Sequence, residues 1–303
     1  MPGLLGSYKN GNAYVEVYRD GTRNMVTFDD SFDFSYNNSC DFKITNSCDG
    51  GCAFCHEGSV PRGKHADLRH LDFLNHLHPY TEFALGGGNI LEHPDILWLL
   101  EKLKEQRVIA NITLNQKHFL ASFSRVKDWY EKGLVRGIGV SLIDATPQLR
   151  EKLQEIPTAV LHVINGIFTP DQHEKLKDQG FKLLILGYKD LRRGHDLLAK
   201  PGARQTIIKN QEWLSQNLTQ IKKGYQVIAF DNLALKQLPV KQNVSSEDWD
   251  LLYAGEDGRA SGTFYIDGVN EQFALSSTTP LDKRYPIENR SLDEMFQIIK
   301  NLS

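Results

Sequence analysis

Cysteine is scarce in this chain, and long apolar runs and a large excess of charge of either sign are missing. The 303 residues contain four cysteines, too few for the disulfide framework of a secreted domain. No run approaches the roughly 18 apolar residues of a membrane span. The net charge of −3 argues against a strongly basic nucleic-acid-binding protein. We therefore predict a cytoplasmic protein whose partners include neither a membrane nor a nucleic acid.

Three of the four cysteines are clustered. Cys48, Cys52 and Cys55 lie in one short loop with Gly50 and Gly51, and glycine allows backbone angles that other residues resist. Thiolates are soft ligands that suit iron–sulfur clusters, zinc and Cu(I). Three cysteines on a four-iron cluster would leave one iron without a protein ligand, which makes a site for chemistry.

The spacing Cys48-x3-Cys52-x2-Cys55, with Phe54 before the last cysteine, resembles the motif of the radical S-adenosylmethionine (SAM) superfamily. The resemblance implies a single 4Fe–4S cluster whose open iron binds the amino and carboxylate groups of SAM. One electron, from a donor such as flavodoxin or ferredoxin, then cleaves SAM to methionine and a 5′-deoxyadenosyl radical that abstracts hydrogen from the substrate. The motif does not identify a subfamily.

Two other classes of metalloprotein use similar residues. Cys52-Ala53-Phe54-Cys55-His56 matches the Cys-x-x-Cys-His pattern of haem attachment, but that needs an exported chain, and the first residues do not resemble a signal peptide. A zinc site could combine Cys40 with the other three cysteines, although such sites usually pair two short Cys knuckles. A zinc- or haem-containing binding protein is therefore the alternative from a different class.

From residue 41 onward, short apolar strands alternate with helical stretches, which predicts βα units and a parallel sheet. The leucines at 68, 71, 74 and 77 are assigned to the first helix. We predict strands at 41–45, 82–85, 108–114, 135–142, 159–164 and 182–186, and helices at 68–76, 95–106, 117–132, from 147, at 171–179 and at 205–221.

Six such units resemble the partial (β/α)6 parallel barrel of radical SAM enzymes, an α/β fold. We expect an N-terminal β-hairpin over 12–29, and a C-terminal β-containing extension that covers the barrel. The predicted parts are 1–40 for the N-terminal extension, 41–225 for the barrel and 226–303 for the C-terminal extension. The last is expected to hold a strand at 226–230, a hairpin over 263–275 and a helix at 292–301.

The active site of a parallel barrel lies at the carboxyl ends of its strands. After the second strand comes Gly86-Gly87-Gly88-Asn89, where the family typically has Gly-Gly-Glu-Pro in contact with the SAM amino group. Gly88 stands in place of the Glu, so the acceptor would be a backbone carbonyl or Asn89. A tight turn is the alternative interpretation.

Polar residues follow the next strands. Thr113 and Asn115 end the third strand, and the resemblance implies that Ser141 holds the SAM ribose. It likewise implies that Asn165 reaches the adenosine and carboxylate region of SAM. Ser and Asn are also common loop caps, which leaves a purely structural role open for both.

After the sixth strand, Tyr188 and Lys189 lie where a substrate would enter. Together with Lys189, Arg192 and Arg193 could bind a phosphate or carboxylate, or form an exposed basic loop. His56 is a candidate hydrogen-bond donor near the cluster.

Cys40 is expected to be a small buried hydrophobic residue. Should the enzyme need a hydrogen-atom donor, Cys40, Tyr188 and Tyr265 are the candidates. No cysteine follows Cys55, which excludes a second cluster within this sequence. We predict a small metabolite or nucleotide as the substrate, with a short peptide as the alternative.

Overall fold

The structure is a computed structural model that describes residues 3–253 and 262–302. Its amino-terminal part is a three-stranded antiparallel sheet of β1 (Leu4–Asn10), β2 (Ala13–Tyr18) and β3 (Arg23–Val26). β2 and β3 form the predicted hairpin, which turns at Gly21 with a φ of +96°. β1 was not predicted and pairs with β2 along its length.

A second sheet contains ten strands in the described part of the chain. Seven of them are β4 (Ser39–Thr45), β5 (Glu82–Gly87), β6 (Ile109–Asn115), β7 (Ile138–Ser141), β8 (Ala159–Ile164), β9 (Lys182–Leu186) and β10 (Val227–Phe230). Each of the first six pairs in parallel with the next strand along the chain, and β10 forms one edge of the sheet. This large parallel sheet confirms the predicted mixed α/β class.

The C-terminal strands extend the same sheet on its other edge. They are β11 (Thr263–Asp267), β12 (Gln272–Ala274) and β13 (Tyr285–Pro286). β11 runs parallel to β4, and β12 returns antiparallel to β11 as the predicted second hairpin. The C-terminal segment thus shares backbone hydrogen bonds with the first parallel strand. The division into three parts at residues 40 and 225 stays a prediction.

Helices connect the parallel strands. Pro147 occupies the first turn of its helix as predicted, behind a Thr146 cap. The helices are α1 (Ile96–Glu105), α2 (Gln116–Ala121), α3 (Phe123–Glu131), α4 (Pro147–Gln154), α5 (Pro170–Leu176), α6 (Arg193–Leu198), α7 (Pro201–Lys223), α8 (Asn232–Gln237), α9 (Ser246–Leu252) and α10 (Leu292–Lys300).

The prediction of an α-helix at 68–76 is wrong. The chain forms two 3₁₀ turns there, Leu68–His70 and Asp72–Asn75. Its leucines recur every third residue and all four are buried, which fits the three residues per turn of a 3₁₀-helix better than an α-helix. The predicted helix at 117–132 is interrupted at Ser122, and the long helix begins earlier than expected, at Pro201.

The strands also define two environments for their side chains. Cys40 is 1% exposed and lies in the hydrophobic core, as predicted. Burial raises the pKa of its thiol well above the usual value. Alternate residues of β4, such as Asp41 and Lys43, instead line a cavity on the other face of the sheet. Across the described ranges, no helix is long and apolar enough to cross a membrane.

Candidate active site

A cavity of about 290 Å³ lies at the carboxyl ends of the parallel strands. This volume is near the lower end of the range of about 300 to 1,000 Å³ for small-molecule pockets. Strands β4 to β9, β11 and the cysteine segment (residues 46–60) contribute to its wall. The predicted site residues on the wall are Cys48, Cys52, Phe54, Cys55, Gly86, Gly87, Gly88, Ser141, Tyr188 and Lys189.

The cysteine segment is held at both ends by backbone hydrogen bonds. Cys48 N donates to Val60 O at 3.0 Å, and Val60 N donates to Asn46 O at 3.0 Å. Within the segment, Gly50 N donates to Cys48 Sγ at 3.3 Å. A Cβ on residue 50 would lie 3.2 Å from that sulfur, so glycine allows the backbone to approach the thiol. From β6, Asn115 Nδ2 donates to Cys52 Sγ at 3.3 Å.

The three thiols fit an iron–sulfur cluster. Burial raises the pKa of both Cys48 and Cys52, and the nearby Cys55 raises both further. Bound iron would hold all three as thiolates. No group of three His, Cys, Asp or Glu side chains in the described parts of the chain is arranged around a single metal ion. A cluster binds each cysteine at a different iron, so it does not require the sulfurs to meet at one point.

A closed zinc site that includes Cys40 does not fit this geometry. Cys40 lies near the amino end of β4, whereas Cys48 follows the carboxyl end. Five residues of strand separate Cys40 from that end, a span of about 17 Å at 3.3 Å per residue. Zinc–sulfur bonds are only about 2.3 Å long, so Cys40 does not reach a zinc ion bound by the other three cysteines.

The glycine run packs against the cysteine segment. Cβ atoms on Gly87 and Gly88 would lie 2.4 Å from Thr45 O and 2.2 Å from Ser47 O, and Gly87 has a φ of +110°. The N–H of Gly88 donates to Thr45 O at 2.7 Å. Gly86 differs, because a Cβ there would have open space around it. Gly86 is thus the position where a ligand could approach the backbone.

Asn89 and Asn165 do not lie on the cavity wall. Asn89 is 7% exposed, and its side chain caps a short 3₁₀ turn by accepting from Leu91 N. Asn165 is 1% exposed, and its Nδ2 donates to Gln237 Oε1 at 3.1 Å. Their predicted contacts with SAM have no direct geometric support. Ser141 is on the wall, as is Thr113.

The basic loop after β9 is directed to the cysteine segment. Arg192 Nη1 donates to His56 O and Arg193 Nη2 donates to Ser59 O, both at 2.7 Å. Neither arginine lines the cavity, in contrast to their predicted contact with substrate. Lys189 does line it, and its Nζ lies 3.2 Å from His56 Nε2. Tyr188 is also on the wall, but its hydroxyl donates to Gly194 O at 2.7 Å.

Sequence analysis missed a buried ionic network beside the cavity. Lys43 Nζ lies 2.9 Å from Glu57 Oε2 and 3.2 Å from Asp267 Oδ2. Arg284 Nη1 completes the network at 3.1 Å from Asp267. Burial acts to raise the pKa of Glu57, but its bonds to His56 and Lys43 outweigh this and lower it. The alternation of Asp41 and Lys43 with apolar residues in a buried strand was the available signal.

No protein-family model matches the sequence, and no curated protein sequence matches it. Among solved structures, SuiB of Streptococcus suis bound to S-adenosylmethionine has a TM-score of 0.56 at 14% identity, covering 88% of this chain and 68% of SuiB. A second SuiB structure gives a TM-score of 0.54 at the same identity and coverage. SuiB bound to its precursor peptide SuiA gives 0.50 at 14% identity, over 80% of this chain and 60% of SuiB. This chain therefore shares the fold of SuiB over most of its length.

Proposed function

We propose that this chain is a radical SAM enzyme that abstracts hydrogen from a small metabolite or nucleotide. Cys48, Cys52 and Cys55 would hold one 4Fe–4S cluster, and SAM would occupy the adjoining cavity. One observation carries the proposal: the same cavity is lined by the three cysteines, by Gly86 with its open backbone, and by Ser141. When bound, the cluster would supply the electron that cleaves SAM.

The residues of the chain would bind and orient SAM and the substrate, and they would exclude water from the cavity. Phe54 contributes an apolar surface next to the thiols, and Gly86 exposes its backbone to the SAM amino acid moiety. Ser141 Oγ is on the cavity wall and makes no hydrogen bond to any residue that the structure describes, so it is free to bind the ribose. Asn115 would stabilise negative charge on the sulfur of Cys52 through its N–H group.

The size of the cavity, about 290 Å³, is that of a small-molecule pocket, which supports a small substrate. The alternative, a peptide substrate, is supported by the structure of SuiB bound to precursor peptide SuiA, because a protein of similar fold binds a peptide. In either case we propose that β4 to β9 curve as a partial (β/α)6 barrel, and that flavodoxin or ferredoxin supplies the electron.

Anaerobic reconstitution tests this function. We expect about four iron per chain and, with SAM and dithionite, slow formation of 5′-deoxyadenosine without any substrate. Replacing Cys48, Cys52 or Cys55 by Ala should abolish both, whereas Cys40→Ala should keep both because Cys40 lies in the core. Protein that binds four iron and SAM but never forms 5′-deoxyadenosine would refute the proposal. Equal metal loss in Cys40→Ala would favour a zinc-like site.

A further inference from the structure

Asp41 places a carboxylate on the cavity wall that has no bonding partner among the described residues. Its neighbours in β4, Cys40 and Phe42, are buried in the core, while Asp41 is exposed to the cavity. Within residues 3–253 and 262–302 it makes no hydrogen bond and no ion pair. Its carboxylate is therefore available to a group that enters the cavity.

The charges around Asp41 favour a cation. Burial raises the pKa of Asp41, Lys189 opposes this effect, and Asp231 and Glu57 add to it. The Nζ of Lys189 is engaged by His56 at 3.2 Å and by Ser277 Oγ at 2.9 Å. Lys43, two residues along β4, is bound to Glu57 and Asp267. Neither lysine therefore neutralises Asp41 by direct contact.

The register of the sheet separates Asp41 from the expected SAM contacts. Asp41 pairs with Ala84 of β5, whereas Gly86 pairs with Lys43. Asp41 thus lies two residues, or about 7 Å, farther from the cysteine segment than Gly86. Of the other polar wall residues, His162 lies on β8, and burial lowers its pKa to about 4. His162 is therefore neutral near pH 7 and does not compete for Asp41 as a cation.

We propose that Asp41 determines substrate specificity by binding an ammonium or guanidinium group of the substrate. This inference rests on the proposed function, in which SAM fills the part of the cavity next to the cysteines. A charge-assisted hydrogen bond changes binding by about ten- to a hundred-fold. The substrate class is thus narrowed to molecules with a cationic N–H donor. Its reacting carbon would lie between that cation and the cysteine end of the cavity.

A matched pair of probes tests the inference. N-butylguanidinium and N-butylurea have similar shapes, but only the first is charged. We expect cluster-loaded protein with SAM to bind the guanidinium at least tenfold more tightly than the urea, measured by ligand-observed NMR. Asp41→Asn should remove this preference. The surface control Asp128→Asn, which removes a carboxylate that binds only Lys132 on the outside of α3, should keep it.

Equal binding of the two probes to the wild-type protein, or a preference that survives in Asp41→Asn, would overturn the inference. Should that variant lose its thermal transition, Asp41→Ser serves the same comparison. A loss of SAM affinity as large as the loss of guanidinium affinity would assign Asp41 to SAM and also overturn it. Formation of 5′-deoxyadenosine is assayed separately and without probe, so a failure of the proposed function is distinguishable from a failure of this inference.

Discussion

The two arginines after β9 should control how firmly the cysteine segment is held. Each donates a 2.7 Å hydrogen bond to a backbone carbonyl of that segment. A hydrogen bond from a charged group contributes about 1.5 to 3 kcal/mol, and the contribution of Arg192 is discounted because its side chain is 39% exposed. Together they would stabilise the held segment by about 3 kcal/mol, roughly a hundred-fold in the population of the displaced segment.

We expect the Arg192→Ala/Arg193→Ala variant to release iron to a chelator much faster than wild type, by a factor approaching a hundred. The measurement is the decay of cluster absorbance in the presence of excess EDTA under anaerobic conditions. Arg290→Ala is the matched control, because Arg290 also donates to a backbone carbonyl, Pro286 O at 2.8 Å, but on the outer surface. Iron release from the double variant at the rate of the Arg290→Ala control would refute the reasoning.

Three further predictions concern the cavity. Gly86→Val should weaken SAM binding at least tenfold without loss of iron, because the valine side chain enters open space in the cavity. Gly88→Ala should instead reduce iron loading, because its Cβ meets the cysteine segment. The reverse pattern would contradict both expectations. Asn115→Leu should make the reduction potential of the cluster more negative in a redox titration, since a sulfur loses its N–H donor; an unchanged potential would contradict this. Burial lowers the pKa of His162 from the reference value of 6.5 to about 4 in the folded protein. The unfolded chain therefore takes up the proton first, and the free energy of unfolding should fall as the pH drops from 6.5 toward 4. Between pH 7 and 5, wild type should lose about 2 kcal/mol more unfolding free energy than His162→Gln, and equal losses in urea titrations would count against it.

Sequence patterns located the strands better than the helices. The strands at 159–164 and 182–186 match their predicted bounds, because alternating and apolar runs next to turn residues define them locally. The error at 68–76 came from a spacing of three that two kinds of helix share. The strand β1 was missed because its sequence, Leu4–Asn10, has little alternation and becomes a strand only by pairing with β2.

The candidate site was predictable where one short motif contains its residues, as for Cys48, Cys52 and Cys55. It was not predictable where the direction of a side chain depends on distant parts of the chain. Arg192 was predicted either to bind an anionic group of the substrate or to lie in an exposed basic loop, but a carbonyl 136 residues away in sequence accepts its hydrogen bond. Lys43 and Asp267 are 224 residues apart, and no local pattern connects them.

The contact between Lys43 and Asp267 has a consequence for folding during synthesis on the ribosome. β4 and the cysteine segment are synthesised early, yet Lys43 meets Asp267 and β4 pairs with β11 only after residue 267 has emerged. Until then, one edge of β4 is unpaired, and the Lys43 side chain that binds Glu57 is not yet held by Asp267. We therefore expect iron to be inserted after translation, once the C-terminal strands have closed against the first parallel strand. A nascent chain stalled before residue 262 should bind iron poorly even though it carries all of its cysteines.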